Sequence, residues 1–336
     1  MDIQRQFSDV HWIWGGGISF VYEVHPRIVV KVPKSGEFER DQFYKEVEIY
    51  RIFSQNPPCP SIVQCFHFSG SGIFLEYMRD MSLFSRIQKH HTRDQQTMAV
   101  TIVEKLEPLP LRKEWMNDLA QAVAFLESLN LAHGDLRPEN VLLDRDRLKL
   151  SDFDCTAKIG TNYEACMAPY GRILNSNELD QGECGTFGFL GPRTEQFALG
   201  SIYYLINYGF EVYGDRCLTK DPYDHGPKVV ELLQSMEFPN LDGNPLIDDI
   251  IAKCWHNKYA TVSDLAAHTN MLLNERSDTT GSNRDDMDHS RLGEQSISKK
   301  EICQDLEERG LLRLLSLGQP EQIGFTFDWY RHSLFE

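Results

Sequence analysis

Three side chains able to bind a metal ion or move a proton stand around one short segment: Asp135 and Asn140 before it, Asp152 after it. Between them, two apolar runs at 141–143 and 148–150 flank the charged turn Asp144-Arg145-Asp146-Arg147, a pattern that predicts a small hairpin. A hairpin would bring its ends together and set two carboxylates and an amide around one point. Such a hard-oxygen environment suits a Mg²⁺–phosphate complex, because Mg²⁺ takes few protein carboxylates and completes its shell with phosphate and water. An ordinary acidic turn is the other reading of the same residues.

The elements that must position this segment are also visible. Trp115, Leu119, Val123 and Leu126 recur at helical spacing, which predicts a helix over 115–130 ending just before Leu131-Ala132-His133. Ile28-Val29-Val30-Lys31-Val32 is β-branched and apolar, as suits a buried strand. Its single Lys31 is costly there unless the ammonium reaches a partner. Residues 40–53 read as an amphipathic helix with Phe43, Val47 and Tyr50 on one face, and a second buried helix is expected over 197–208. Gly15, Gly16 and Gly17 form a turn between two expected strands. Three consecutive glycines let backbone N–H groups approach a phosphate closely, although such a turn also serves simply to join strands.

His133-Gly134-Asp135-Leu136-Arg137-Pro138-Glu139-Asn140 followed by Asp152-Phe153-Asp154 resembles the H-R-D-x-K-x-x-N and D-F-G segments of eukaryotic protein kinases. His133, Asp135, Asn140, Asp152 and Phe153 match; Gly134, Arg137 and Asp154 depart. The resemblance implies that Asp135 accepts the proton of the attacking hydroxyl, with Arg137 beside the transferred phosphate and Asn140 and Asp152 as metal ligands. It further implies that Lys31 pairs with nucleotide phosphates and with a helix carboxylate, Glu46 by register or Glu48 as the alternative. Gly15, Gly16, Gly17 and Val21 stand at the glycine-loop position. Residues 73–78 look like the inter-lobe connection, with adenine bonding near Glu76 and Met78 and Leu75 guarding the inner pocket. Glu195 to Gly200 resembles D-x-W-x-x-G.

The expected fold is therefore α+β and two-lobed, with a kinase-like domain over 7–273. A small β-rich lobe takes 7–77 and a helical lobe 78–273, followed by a flexible linker at 274–300 and a helical, aromatic tail at 301–336. The expected activity is ATP- and Mg²⁺-dependent transfer of phosphate to a protein Ser or Thr hydroxyl, the residue type resting on Pro138-Glu139. A pseudokinase scaffold, suggested by Asp154 and the irregular glycine loop, and a small-molecule kinase are the alternatives. The latter is suggested because neither Ala168-Pro169-Tyr170 nor Gly191-Pro192-Arg193 reproduces A-P-E, and residues 257–261 lack the Arg that partners its Glu. Gly134 supplies no cation for a phosphate on the following segment, so phosphorylation there is not expected to be the main switch. Arg172 or Lys158 are the substitute cations.

Composition narrows the partners. The 336 residues are 41% hydrophobic and 25% charged with a formal charge of −16, against general nucleic-acid binding. Eight cysteines without a C-x-x-C pair, no secretory leader and no bilayer-length apolar run favour a reduced cytoplasmic or nuclear setting without membrane insertion. Residues 90–96 look like a polar surface insertion. The aromatic ending around 325–331 is expected to dock on the large lobe or on a partner.

Overall fold

A computed structural model of the chain describes residues 3–164, 167–274 and 289–325. In order these form β1 (His11–Gly15), β2 (Ser19–His25), β3 (Ile28–Pro33), α1 (Glu37–Ser54), β4 (Cys65–Ser69) and β5 (Gly72–Glu76). Next come α2 (Leu83–Gln88), β6 (His91–Arg93), β7 (Val100–Val103), α3 (Leu109–Ser128), β8 (Leu131–Ala132), β9 (Val141–Asp144), β10 (Arg147–Leu150) and β11 (Ala157–Lys158). The helices α4 (Pro192–Tyr208), α5 (His225–Gln234), α6 (Pro245–Trp255), α7 (Val262–Asn274), α8 (His289–Glu308) and α9 (Leu311–Leu315) complete the set. Among the described residues no helix is long and apolar enough to cross a membrane.

The chain divides into two units. The small unit takes the chain up to Pro58, Val63–Met78 and the described part of Ser282–Glu336; the large unit takes Cys59–Ile62 and the described part of Arg79–Gly281. In the small unit five antiparallel strands run in the order β1-β2-β3-β5-β4. The central strand β3 is buried on both faces. Its side chains alternate with a period of two, so Ile28, Val30 and Val32 share one face and Val29 and Lys31 the other. Helix α1 buries Phe43, Glu46, Val47, Ile49 and Tyr50. It begins at Glu37, ahead of the expected 40, and Glu37 and Glu39 in its first turn complement the helix dipole.

The tail requires a correction. Its described part packs on the small unit, where the expectation was docking on the large lobe or a partner. Cys303, Leu306, Leu311, Leu312, Leu315, Ile323 and Phe325 share one core with Ile28, Val30, Val32, Tyr22 and Phe74. The Phe325 and Tyr22 rings lie 5.3 Å apart, the Lys299 ammonium sits 4.6 Å over the Phe66 ring, and Glu307 pairs with His67. Gly72 makes room for this contact, since a Cβ there would come 2.6 Å from the Leu312 side chain. A strand apolar on both faces needs a cover on each. Residues 326–331 of the aromatic ending lie outside the described residues. So do 275–288 of the expected linker, whose remainder to Lys300 belongs to α8, which starts at His289.

In the large unit, α3 buries Trp115, Leu119, Val123 and Leu126 as expected but spans Leu109–Ser128. Asn130 beyond it takes φ 58°, a left-handed geometry that Asn tolerates. The predicted hairpin is present as β9 and β10, with Asp144 opposite Arg147 and a two-residue turn at Arg145-Asp146. Trp115 Nε1 donates to the Asp146 carbonyl at 2.8 Å and the Leu150 amide donates to the Ser61 carbonyl at 2.9 Å, fixing the hairpin at both ends. Helix α4 starts at Pro192, five residues before the expected 197, and most of its length is buried. Its Gly200 permits close packing on α6: a Cβ would lie 2.7 Å from that of Cys254. The polar insertion near residue 90 forms the hairpin β6–β7.

Candidate active site

The chemistry-bearing residues fall into two groups, one in each unit. In the small unit, Lys31 on β3 and Glu46 on α1 form an ion pair at 2.6 Å with side chains 9% and 1% exposed. The β3 face carrying Lys31 is therefore directed at α1, and the register choice goes to Glu46. Glu48, half a turn away on the helix, is exposed and pairs with Arg51. Lys31 lies opposite Val21 on β2 and Ile73 on β5. The turn at Gly16 and Gly17 follows β1, with the Gly16 amide donating to the Ser19 carbonyl at 2.9 Å. None of Gly15, Gly16 and Gly17 uses a positive φ, and a Cβ on Gly17 would meet nothing within 4 Å. Neither turn geometry nor packing requires glycine at Gly17. At the end of β5, the Glu76 and Tyr77 amides already donate to the Gln64 and Arg27 carbonyls, whereas no such backbone bond engages the Met78 amide among the described residues.

The large unit gathers the other group. Asn140 Nδ2 donates to both the Asp135 carboxylate and the Asp135 carbonyl, each at 2.9 Å. Its amide nitrogen is thus engaged with Asp135, which leaves Oδ1 as the acceptor of that side chain. Arg137 Nε lies 3.4 Å from the Asp135 carboxylate, with its side chain half-exposed. Ser151 binds the Asn140 carbonyl twice, from its amide at 2.9 Å and its hydroxyl at 2.8 Å, which places Asp152 next to this loop. Asp152 takes φ 64°, so the left-handed geometry falls on it, while Asp154 at the family's glycine position has no positive φ. The replacement of that glycine is therefore tolerated without backbone strain. An amide oxygen and a carboxylate are the donor types Mg²⁺ prefers, so the residues fit that ion.

His133 orders this loop from beneath. It is fully buried; its Nε2–H donates to the Ser151 carbonyl at 3.0 Å and its Nδ1 accepts the Asp135 amide at 3.3 Å. Burial lowers its pKa although Asp135, Asp152 and Asp154 all pull the other way. The ring is therefore neutral, in the tautomer its two bonds require. Burial raises the Glu139 carboxyl, with Arg137 opposing and Glu211 and Asp135 reinforcing.

Glu195 on α4 completes the support. Its carboxylate accepts the His133 amide at 2.8 Å and the Gly134 amide at 3.5 Å. Burial pushes Glu195 up to about 7 from an ordinary value of 4.5, against those two amide bonds. Between these values the folded chain keeps a proton that the unfolded chain has released, so this group makes stability fall as pH rises from about 4.5 to about 7. Glu195→Gln is expected to flatten that part of the profile, read as urea midpoints between pH 4.5 and 8. An unchanged slope in the mutant would assign the pH dependence to other groups.

Two departures from the kinase pattern have visible causes. Gly134 takes φ 75°, and a Cβ on it would lie 2.6 Å from the Cys155 carbonyl oxygen, so no arginine fits there. Arg172, named above as a substitute cation, is engaged with Glu178. Sequence reasoning missed the role of Gln196. Its side-chain amide donates to Asn257 Oδ1 at 2.7 Å and to the Tyr259 carbonyl at 3.1 Å, and its oxygen accepts the Tyr259 amide at 3.2 Å. This uncharged bridge ties α4 to the loop after α6, where the family's A-P-E glutamate and its arginine are absent. Adjacency to the D-x-W-x-x-G-like run was the only signal for it.

Comparison with known proteins agrees with this geometry. The chain is 28% identical over 223 residues to MAP kinase-activated protein kinase 2 of Cricetulus longicaudatus, covering 61% of this chain and 60% of that protein. It is 26% identical over 242 residues to the human phosphorylase b kinase gamma catalytic chain, liver/testis isoform, covering 69% and 50%. To human testis-specific serine/threonine-protein kinase 4 it is 28% identical over 124 residues, covering 33% and 38%. The matches thus span at most about three fifths of these relatives' lengths. The family described as protein kinase domain matches residues 19–222, more than half of the chain. With its five-stranded small unit, its helical large unit and this match, the chain belongs to the protein kinase domain family and has its two-lobed α+β fold.

Proposed function

We propose that the chain is an active protein kinase that transfers the γ-phosphoryl group of ATP to a Ser or Thr hydroxyl of a protein. The observation that carries this reading is the double hydrogen bond from Asn140 to Asp135. It fixes the carboxylate in one orientation and keeps it an acceptor, as a group receiving a hydroxyl proton must be. Arg137 sets a guanidinium beside it, where the charge of a transferred phosphate develops. In the small unit Lys31, steadied by Glu46, presents an ammonium for the nucleotide phosphates. Gly17, retained for neither turn nor packing, leaves the turn bare for close approach of phosphate oxygens. Met78 offers an amide to adenine. Asn140 Oδ1 and Asp152 would hold Mg²⁺, which when bound with ATP neutralises phosphate charge.

A protein substrate is favoured by the names of the relatives, which include serine/threonine-protein kinases, and by Glu139, whose carboxyl feels both Asp135 and Glu211. An acidic group beside the acceptor site favours a peptide carrying a basic residue over a small anionic alcohol. Radiolabelled transfer from ATP to a peptide library tests this, with Asp135→Asn as the blank. For the nucleotide site, thermal shift with ATP is expected to need Mg²⁺ in the wild type and to be much smaller in Asp152→Ala. An equal, metal-independent shift in both proteins would overturn the assignment.

A further inference from the structure

Gly72, at the start of β5, does not owe its identity to backbone conformation, since its φ is not positive. Space explains it. A Cβ there would lie 2.6 Å and 3.1 Å from the two Leu312 methyls and 3.2 Å from a Val30 methyl. Gly72, Val30 and Leu312 therefore meet at one point, on the face of the sheet opposite to Lys31. All three are buried, Leu312 at 2% exposure and Val30 completely, so none has room to yield. Glycine in a strand carries a cost and marks such a close approach.

The tail reaches Val30 from a second side. Tyr22 on β2 stands opposite Val30, and the Phe325 ring lies against Tyr22. Leu312 and Phe325 thus bracket the residue immediately before Lys31. Successive side chains of a strand point to opposite faces, so whatever presses on Val30 sets the depth of Lys31 on the other face. The same holds one strand over, where Ile73, the cross-strand partner of Lys31, follows Gly72. Close-packed interiors transmit such displacements rather than absorb them. The Lys31–Glu46 pair, enclosed and 2.6 Å long, has little tolerance for one.

We propose that α9 is a positioning element of the nucleotide site: Leu312, seated on Gly72 and Val30, holds β3 at the depth where the Lys31 ammonium meets Glu46 and is presented to nucleotide phosphates. The proposal rests on the reading of Lys31 given above, so one of its two readouts omits nucleotide. The test exchanges volume across the contact. Gly72→Val adds as many carbons as Leu312→Ala removes, so the double variant restores the fill that each single variant spoils. Valine suits a strand better than glycine, so local propensity does not work against Gly72→Val. Titration of the full chain with a fluorescent ATP analogue and Mg²⁺ gives nucleotide affinity. A urea cycle of Lys31→Met and Glu46→Leu, made in each background, gives the coupling of the pair without nucleotide. Each single variant is expected to bind the analogue roughly tenfold more weakly, short of the ~10²-fold that a whole ångström of misplacement can cost in rate. The Lys31–Glu46 coupling should shrink in both and return, with the affinity, in the double variant. A purely structural role would lower Tm in the single variants and leave affinity and coupling at wild-type values, which would overturn the proposal. So would a double variant no better than Leu312→Ala, a comparison that stands even if Gly72→Val alone does not fold. A wild type that binds no nucleotide, with the coupling still following the variants, would count against the kinase reading alone.

Discussion

Asp135→Ala is expected to lower phosphotransfer by roughly 10²–10⁴-fold while ATP binding persists. In the folded chain Asn140 and Arg137 both address this one carboxylate, and neither can replace it as a proton acceptor. Removing it leaves the Asn140 amide hydrogens with the Asp135 carbonyl alone, so some loosening of the loop is expected as well. Asp135→Asn separates the two effects, because an amide oxygen can still accept from Asn140 but is a far poorer base. Single-turnover rates on one peptide, with ATP affinity read separately, distinguish chemistry from binding. Turnover equal to wild type in both variants would mean that Asp135 is not the acceptor.

The second large effect concerns stability. Lys31→Met alone leaves the Glu46 carboxylate buried without its cation, a change that costs about 3–5 kcal/mol in comparable pairs. The double replacement Lys31→Met with Glu46→Leu removes both charges and keeps the volume, so most of that loss should be recovered. Urea unfolding of the wild type, both single variants and the double variant closes the cycle. All three variants should lose the Mg²⁺–ATP thermal shift, because the ammonium is gone or unsupported. Additive losses in the cycle would show that the pair is not coupled.

What the sequence revealed and what it hid follow from one physical distinction. The loop from His133 to Asn140 and the hairpin after it are built from near neighbours, so spacing and alternation were enough to place Asp135, Asn140 and Asp152. Lys31 was conspicuous because a lone cation in a β-branched run must find a partner, and helical register narrowed that partner to Glu46 or Glu48. The tail was misplaced because its periodicity shows that it has an apolar face but not which surface receives it. The receiving surface was nonetheless written in β3, whose apolar run, broken only at Lys31, means burial on both sides. Gln196 and Glu178 escaped, and Arg172 was named without its partner, because their bonds depend on where helices and loops meet. No local pattern marks them.

The packing of the tail also fixes an order of events during synthesis. Gln6 donates to the Arg309 carbonyl across 303 positions of sequence, and Leu311, Leu312 and Leu315 enter a core begun by Ile3 and Phe7. The strands β1 to β3 cannot bury the face they give to this core until α8 and α9, at 289–315, have been made. The large unit, apart from the short Cys59–Ile62 stretch, is continuous and lies between those two ends, so it can condense while the small unit still waits. Contacts of such long range also carry a high loop-closure cost and fold slowly. Between the synthesis of the sheet and that of α8 and α9 the nascent chain therefore exposes an apolar face, and its need for protection by chaperones peaks in that interval.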